Sequence, residues 1–406
     1  MTMKRRTRAT TVESADTVSA PASKTNLTPA VLKKFRRALQ AWYAAHGREL
    51  PWRLTHDPYR IWISEIMLQQ TTVVAVIPYF ERFLTRFPTV HELAAAEESE
   101  VLRFWEGLGY YSRARNIHKA ARQVSLELSG TFPELVDELQ SLPGIGRYTA
   151  GAIRSFAFNL PAPIVEANTL RLYCRLLGYA GDPRAREGQN ALWGFAEELV
   201  PEEHPGRFNQ ALMELGSVVC TPTNPRCPDC PVSFACQAFL TNRQAVIPQP
   251  AVRPEITAVT ELSVVLRRGD RFLLYHRAPG ERWAGLWDFP RFSCDELAGA
   301  AKRQPAWIEQ KLSRDLGVVV QVNELLTEIR HSVTRYRITL RSYLADHVSG
   351  EVSEGAGEYR WLTADEIHTY PLSVTGRKLA KLLPEAIEEA QRGGRLRPKN
   401  GQLFRK

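Results

Sequence analysis

Of the six cysteines in this 406-residue chain, four lie in one short stretch, and no other sequence feature limits the fold as much. Cys220, Cys227, Cys230 and Cys236 follow the spacing C-x6-C-x2-C-x5-C, whereas Cys174 and Cys294 stand alone. An exported disulfide protein spreads its cysteines so that they tie distant segments together. Four thiols in one loop instead suit a soft metal centre. A structural zinc site usually has paired C-x2-C hairpins or a Cys/His mixture; this loop has one C-x2-C and no histidine. Compact four-cysteine loops are one way to hold an iron–sulfur cluster. On spacing alone, cluster, zinc and bare thiols all stay open. Pro222, Pro225, Pro228 and Pro231 stiffen the loop, and the interleaved Arg226 is placed to face a phosphate.

Chains beyond roughly 250–300 residues divide their cores, so two domains are expected. Residues 1–26 have no hydrophobic period and read as a disordered basic tail. The segment has no apolar h-region, so it is not a secretory signal and the chain reads as cytosolic. Thr28 offers an N-cap hydroxyl and Pro29 a first helical position. From there, 27–240 is helical in pattern, broken by Gly and Pro, and Gly47 stops the first helix. Residues 241–256 carry several prolines and read as a linker. Residues 257–388 alternate like strands around one helix near 305–317, an α+β pattern. Residues 389–406 form a second basic tail. No apolar run reaches the ~18–20 residues of a spanning helix, which excludes an integral membrane protein. The net charge of +9 favours a polyanionic partner.

Two stretches carry chemistry. In "SLPGIGRYTAGAI", Gly144 and Gly146 flank Ile145 just before a helix. Such glycines let backbone approach a ligand closely, and free N–H groups at a helix start bind phosphate; an ordinary interhelical turn would look similar. In "IWISEIMLQQTT", Trp62, Glu65 and Gln69 fall at i, i+3 and i+7 on one helical face. An acid among Ile, Met and Leu is unusual, the alternative being a solvated charge.

Together these motifs resemble the endonuclease III / MutY superfamily of helix–hairpin–helix DNA glycosylases over about 28–240. The resemblance implies an all-α glycosylase domain whose Cys220, Cys227, Cys230 and Cys236 bind a [4Fe–4S] cluster that is structural rather than catalytic. The hairpin then grips phosphates without reading sequence. Endonuclease III-type members place a Schiff-base lysine after the position of Arg147. Tyr148 stands there, and Lys33, Lys34 and Lys119 lie elsewhere, which implies a monofunctional enzyme.

Within the superfamily, the resemblance to MutY-type adenine glycosylases assigns further roles. Glu65, its pKa raised by partial burial, protonates adenine N7. Gln69 and Gln70 sit at the pierced DNA stack. Glu166 replaces the family Asp, with one more methylene, and Ala167 replaces a Gly; Asn168 matches. Arg53 in "LPWR" and Gln210 contact the adenine, Tyr148 lies in its pocket, and Tyr110 wedges beside the opposing base. Residues 257–385 resemble a Nudix (MutT-like) domain with Asp288 in the "LWDFP" strand. Its helix candidate lacks the Glu-dense magnesium motif, so it recognises rather than hydrolyses. The family's 8-oxoguanine loop falls at Val333, Thr334 and Arg335, with Phe and His both replaced; a solvated strand arginine is the plain alternative for Arg335. The partner implied is double-stranded DNA with A·8-oxoguanine or A·G mispairs, bound by a monomer in the bacterial cytoplasm at the nucleoid. A glycosylase for T opposite G and a non-catalytic lesion binder are the competing readings.

Overall fold

The computed structural model describes residues 27–250, 255–297, 299–355 and 357–384; both basic tails lie outside them. The chain divides into two compact units. One holds 27–47, 165–201 and 208–249, and the other 48–164, 202–207 and the described residues from 250 on.

In the first unit, the opening helix Pro29–His46 is capped by Thr28, whose hydroxyl accepts from Val31 N–H. Its buried Phe35 and Leu39 join Leu172, Tyr173, Leu192 and Phe208 in one core. The helix Ala167–Leu177 ends on Gly178 in the left-handed conformation. Ile247 is buried in the same core, so the start of the expected linker packs on the helices.

The second unit contains both helices and a sheet. The helix Pro58–Leu68 is buried on nearly every side, from Tyr59 and Ile61 through Met67. A helix apolar all round belongs in the middle of a core, and Trp62 there meets Phe132 with ring centroids 5.5 Å apart. Asp57 caps it by accepting from Tyr59 N–H at 2.9 Å.

Among the described residues seven strands form the sheet: β1 (Thr257–Arg268), β2 (Arg271–His276), β3 (Trp287–Asp288), β4 (Arg291–Ser293), β5 (Val319–Val333), β6 (Tyr336–Ser349) and β7 (Tyr359–Thr363). Their order is β3-β2-β1-β6-β5, with β4 against β1 and β7 against β2. The parallel β1–β6 pair is covered on both faces, as parallel strands require. Along β1, Leu262, Val264 and Leu266 enter the core under the helix Gln304–Leu316, while Val265 enters the opposite one. That alternation is the period of two read from the sequence.

Candidate active site

Glu65 lies in the central helix Pro58–Leu68 and is only 3% exposed. A carboxylate so buried is costly without a donor. Tyr148, second residue of the helix Arg147–Ala157, supplies one by donating its phenolic hydrogen to Glu65 Oε2. Two residues read separately from the sequence are thus brought into contact.

The central helix stops at Leu68, so Gln69 is its C-cap rather than a face-mate of Trp62 and Glu65. Gln70 follows, exposed, at a φ of 58°. At this helix end lies Arg113, a buried guanidinium that sequence reasoning passed over. It donates to Ile66 O at 2.6 Å, Met67 O at 3.2 Å and Gln69 O at 2.6 Å. The last carbonyls of a helix lack internal partners, and a five-donor fork collects several at once. The same guanidinium reaches Leu108 O and Gly109 O. It therefore joins the helix end to the loop bearing Tyr110, which is half exposed at a φ of 47°. Burial pulls the Arg113 pKa down to about 10.

The two hairpin glycines differ. Gly144 has a φ of 78°, and a Cβ there would lie 2.7 Å from Asn116 Cβ. Gly146 is an extended N-cap with open space where a Cβ would go. Between them Ile145 is buried and its N–H donates to Leu142 O at 3.1 Å. The hairpin thus anchors an apolar side chain and leaves a helix start uncrowded for an anion.

Glu166, in the other unit, is the N-cap of Ala167–Leu177. Its carboxylate accepts from Asn168 N–H and Thr169 N–H, both at 2.9 Å, and from Asn168 Nδ2 at 3.3 Å. Asn168 Oδ1 in turn accepts from Arg171 at 3.0 Å. Burial raises the Glu166 pKa, outweighing the opposing pull of the two backbone N–H groups and Arg171. Gly216 lies against Asn168, where a Cβ would be 2.8 Å from the Asn168 carbonyl oxygen. Gln210 accepts from Tyr43 Oη at 3.1 Å. Arg53, on the turn Pro51–Arg53, donates to Arg48 O at 3.1 Å.

Cys220, Cys227, Cys230 and Cys236 line one cavity with Leu172 and Arg175. Arg175 is 2% exposed and had no sequence signal. It donates to Thr221 O at 2.7 Å, Pro222 O at 3.2 Å, Ile247 O at 2.9 Å and Cys220 Sγ at 3.3 Å. Burial lifts the Cys230 thiol to about 12 and the Cys236 thiol to about 11. Thiolates there need a nearby positive centre. Among the described residues no three His, Cys, Asp or Glu side chains are arranged to hold one metal ion. Arg226 is exposed, donating to Val218 O and lying 3.6 Å from Asp229.

On the sheet, Thr334 and Arg335 form the exposed two-residue turn between β5 and β6. Val333 ends β5 opposite Tyr336, so Arg335 is on a tip rather than along a strand. Its guanidinium donates to Tyr336 Oη at 3.1 Å. Asp288 is buried and accepts from Phe289 N–H and Ser373 Oγ. Glu309 of the helix Gln304–Leu316 accepts from Val322 N–H at 2.9 Å.

Comparison with known proteins adds the following. Residues 63–198 match the HhH-GPD superfamily of base excision DNA repair proteins, and 262–382 match the NUDIX domain. The human adenine DNA glycosylase is 33% identical over 404 residues, covering 86% of this chain and 73% of its own. That of Buchnera aphidicola from Acyrthosiphon pisum is 36% identical over 265 residues, covering 65% of this chain and 76% of its own. A solved thermostable thymine-DNA glycosylase is 30% identical and covers 53% of this chain and all of its own, with a TM-score of 0.49.

Proposed function

Because the chain belongs to the adenine DNA glycosylase family, we propose that it hydrolyses the N-glycosidic bond of adenine mispaired with 8-oxoguanine or guanine in duplex DNA. The observation that carries this is the buried Glu65 held by Tyr148. A carboxyl in an apolar helix is placed to keep a proton until a base presents an acceptor. Glu65 gives that proton to adenine N7, and the C1′–N9 bond breaks with its electron pair moving to the base. The sugar cation left behind is stabilised by the Glu166 carboxylate, as carboxylates do in glycoside hydrolysis generally. Water adds to C1′ and loses its proton, giving an abasic site. Asn168 fixes the Glu166 carboxylate. With Tyr148 in the lysine place, no amine attacks the sugar, so the enzyme is monofunctional.

Tyr110, exposed on a braced loop, is the wedge, with Gln69 and Gln70 beside it on the neighbouring turn. Gly144 and Gly146 bring backbone to the phosphates; Arg53 and Gln210 contact the extruded adenine. Thr334 and Arg335, exposed at their turn, meet the opposing base. The proposed divisions are a glycosylase domain at 27–240, a linker at 241–256 and a recognition domain at 257–388. The chain acts as a monomer, in the bacterial cytoplasm at the nucleoid. Among the described residues no helix is long and apolar enough to cross a membrane.

The four cysteines fit a [4Fe–4S] cluster, which takes one thiolate per iron around a common cavity. When bound, the cluster supplies a rigid cationic centre for the loop.

The test is incubation of purified protein with duplexes holding A opposite 8-oxoguanine, A opposite G, and T opposite G, with and without hot alkali. Alkali-labile sites in the first two are expected. No product on any duplex overturns the enzyme reading, and cleavage without alkali overturns monofunctionality.

A further inference from the structure

Glu106 stands one residue before Gly107, where the Tyr110 loop begins. Its carboxylate is held by Arg377 of the helix Val374–Ala380, beyond the sheet in sequence. Arg377 Nε reaches Oε1 at 2.7 Å and Nη2 reaches Oε2 at 2.9 Å, a two-pronged contact with both side chains under a fifth exposed. Leu372 N–H adds a bond to Oε2 at 3.3 Å, and Arg377 is itself braced by donating to Tyr370 O at 2.7 Å. Just past the loop, Arg115 donates to Ala284 O at 2.6 Å. The Nudix-like part thus grips the chain on both sides of Tyr110. Inside the grip the loop is cross-braced by Arg113 and by Trp105 Nε1 donating to Gly109 O.

We propose that Glu106 and Arg377 are a positioning pair through which the recognition domain presets the Tyr110 loop for base extrusion. Forked charge-assisted bonds fix orientation as well as distance, and a partly buried pair is little screened by salt. Tyr110 occupies a left-handed backbone conformation that non-glycine residues adopt only when surroundings enforce it. Freeing Glu106 lets the loop relax before DNA arrives, so ordering it is left to the binding step. The recognition domain then acts twice: at its own turn and on the wedge. This rests on the glycosylase reading.

The experiment is a double-mutant cycle of Arg377→Ala and Tyr110→Ala, with Arg377→Lys and Glu106→Gln alongside. It reads single-turnover adenine release and the fluorescence of 2-aminopurine placed opposite 8-oxoguanine. Misplacement by about 1 Å costs about a hundredfold at worst. Arg377→Ala is expected to slow release between about tenfold and a hundredfold and to reduce the fluorescence rise, with Arg377→Lys recovering part of both. In the Tyr110→Ala background the same change has an effect below about twofold, because coupled residues do not add. Additive losses, or wild-type release and fluorescence in Arg377→Ala, overturn the positioning role. If Arg377→Ala does not fold, Glu106→Gln carries the cycle. A wild-type chain that releases no adenine overturns the function instead, and the fluorescence arm still decides the pair.

Discussion

The Glu166 carboxylate accepts the Thr169 N–H at 2.9 Å while Thr169 Oγ1 accepts the Glu166 N–H at 2.9 Å, closing a reciprocal cap on one helix. The glutamate side chain folds back on its own helix start to make this cap. Capping therefore orients the same group that the proposed mechanism uses.

Replacing Glu166 by Gln keeps an acceptor for the cap and removes the charge. Adenine release should fall by at least about a hundredfold, while Glu166→Asp should stay within about tenfold of the parent. Burial raises the Glu166 pKa from its ordinary 4.5. The folded chain thus keeps this proton at a pH where the unfolded chain has lost it. The stability it contributes is complete below 4.5 and is lost as pH rises through the higher folded value. Urea midpoints from pH 4 to 8 should show Glu166→Gln gaining on the parent as pH rises. A constant difference would refute the burial account. Release should fall on the acid side of the folded value, since the ionised form stabilises the cation.

Tyr148→Phe deletes the hydroxyl that donates to Glu65. Leaving a buried acceptor short of a donor costs about 1–3 kcal/mol. The loss should shrink in a Glu65→Leu background, where no acceptor remains for the hydroxyl. Equal losses in both backgrounds, measured by urea unfolding, would show that the hydroxyl stabilises the fold through some other contact.

Local chemistry made much of this legible. Thr28 and Pro29 start a helix because a hydroxyl acceptor and a preset φ suit its first turn. The alternation in "AVTELSVVLRR" announced a strand, though not that Leu262, Val264 and Leu266 enter one core and Val265 another. Glu65 stood out because an acid in an apolar run needs a reason. What stayed hidden depends on partners far away in sequence. Arg377 and Glu106 are 271 residues apart, and the two arginines in "YYSRARN" give no sign of which one is buried. Gln69 lies off the helical face at the C-cap, where Arg113 collects the carbonyls of Ile66, Met67 and Gln69. The Thr334–Arg335 turn was obscured because it lacks the Asn-Gly signal that usually supplies a positive φ.

Arg175→Leu should cost about 2–4 kcal/mol, because the carbonyls of Thr221, Pro222 and Ile247 lose their donor together. Arg175→Lys should recover little, since one ammonium cannot reproduce a planar fork. Both changes should lower the broad visible absorbance expected of an iron–sulfur cluster per chain. Undiminished absorbance with an unchanged urea midpoint would remove Arg175 from the support of the loop.

The hairpin glycines should separate cleanly. Gly144→Ala meets Asn116 at 2.7 Å and imposes a side chain on a φ of 78°, so it should destabilise the chain by about 1–3 kcal/mol. Gly146→Ala meets nothing within 4 Å and keeps an extended backbone, so stability should change by less than about 1 kcal/mol. Its methyl instead would stand at the helix start proposed to meet a phosphate. Duplex binding should weaken severalfold in Gly146→Ala without loss of fold, and the weakening should be the same for matched and mispaired duplexes. Binding measured at fixed salt decides this: unaltered affinity in folded Gly146→Ala would mean that the hairpin does not meet the backbone at that residue.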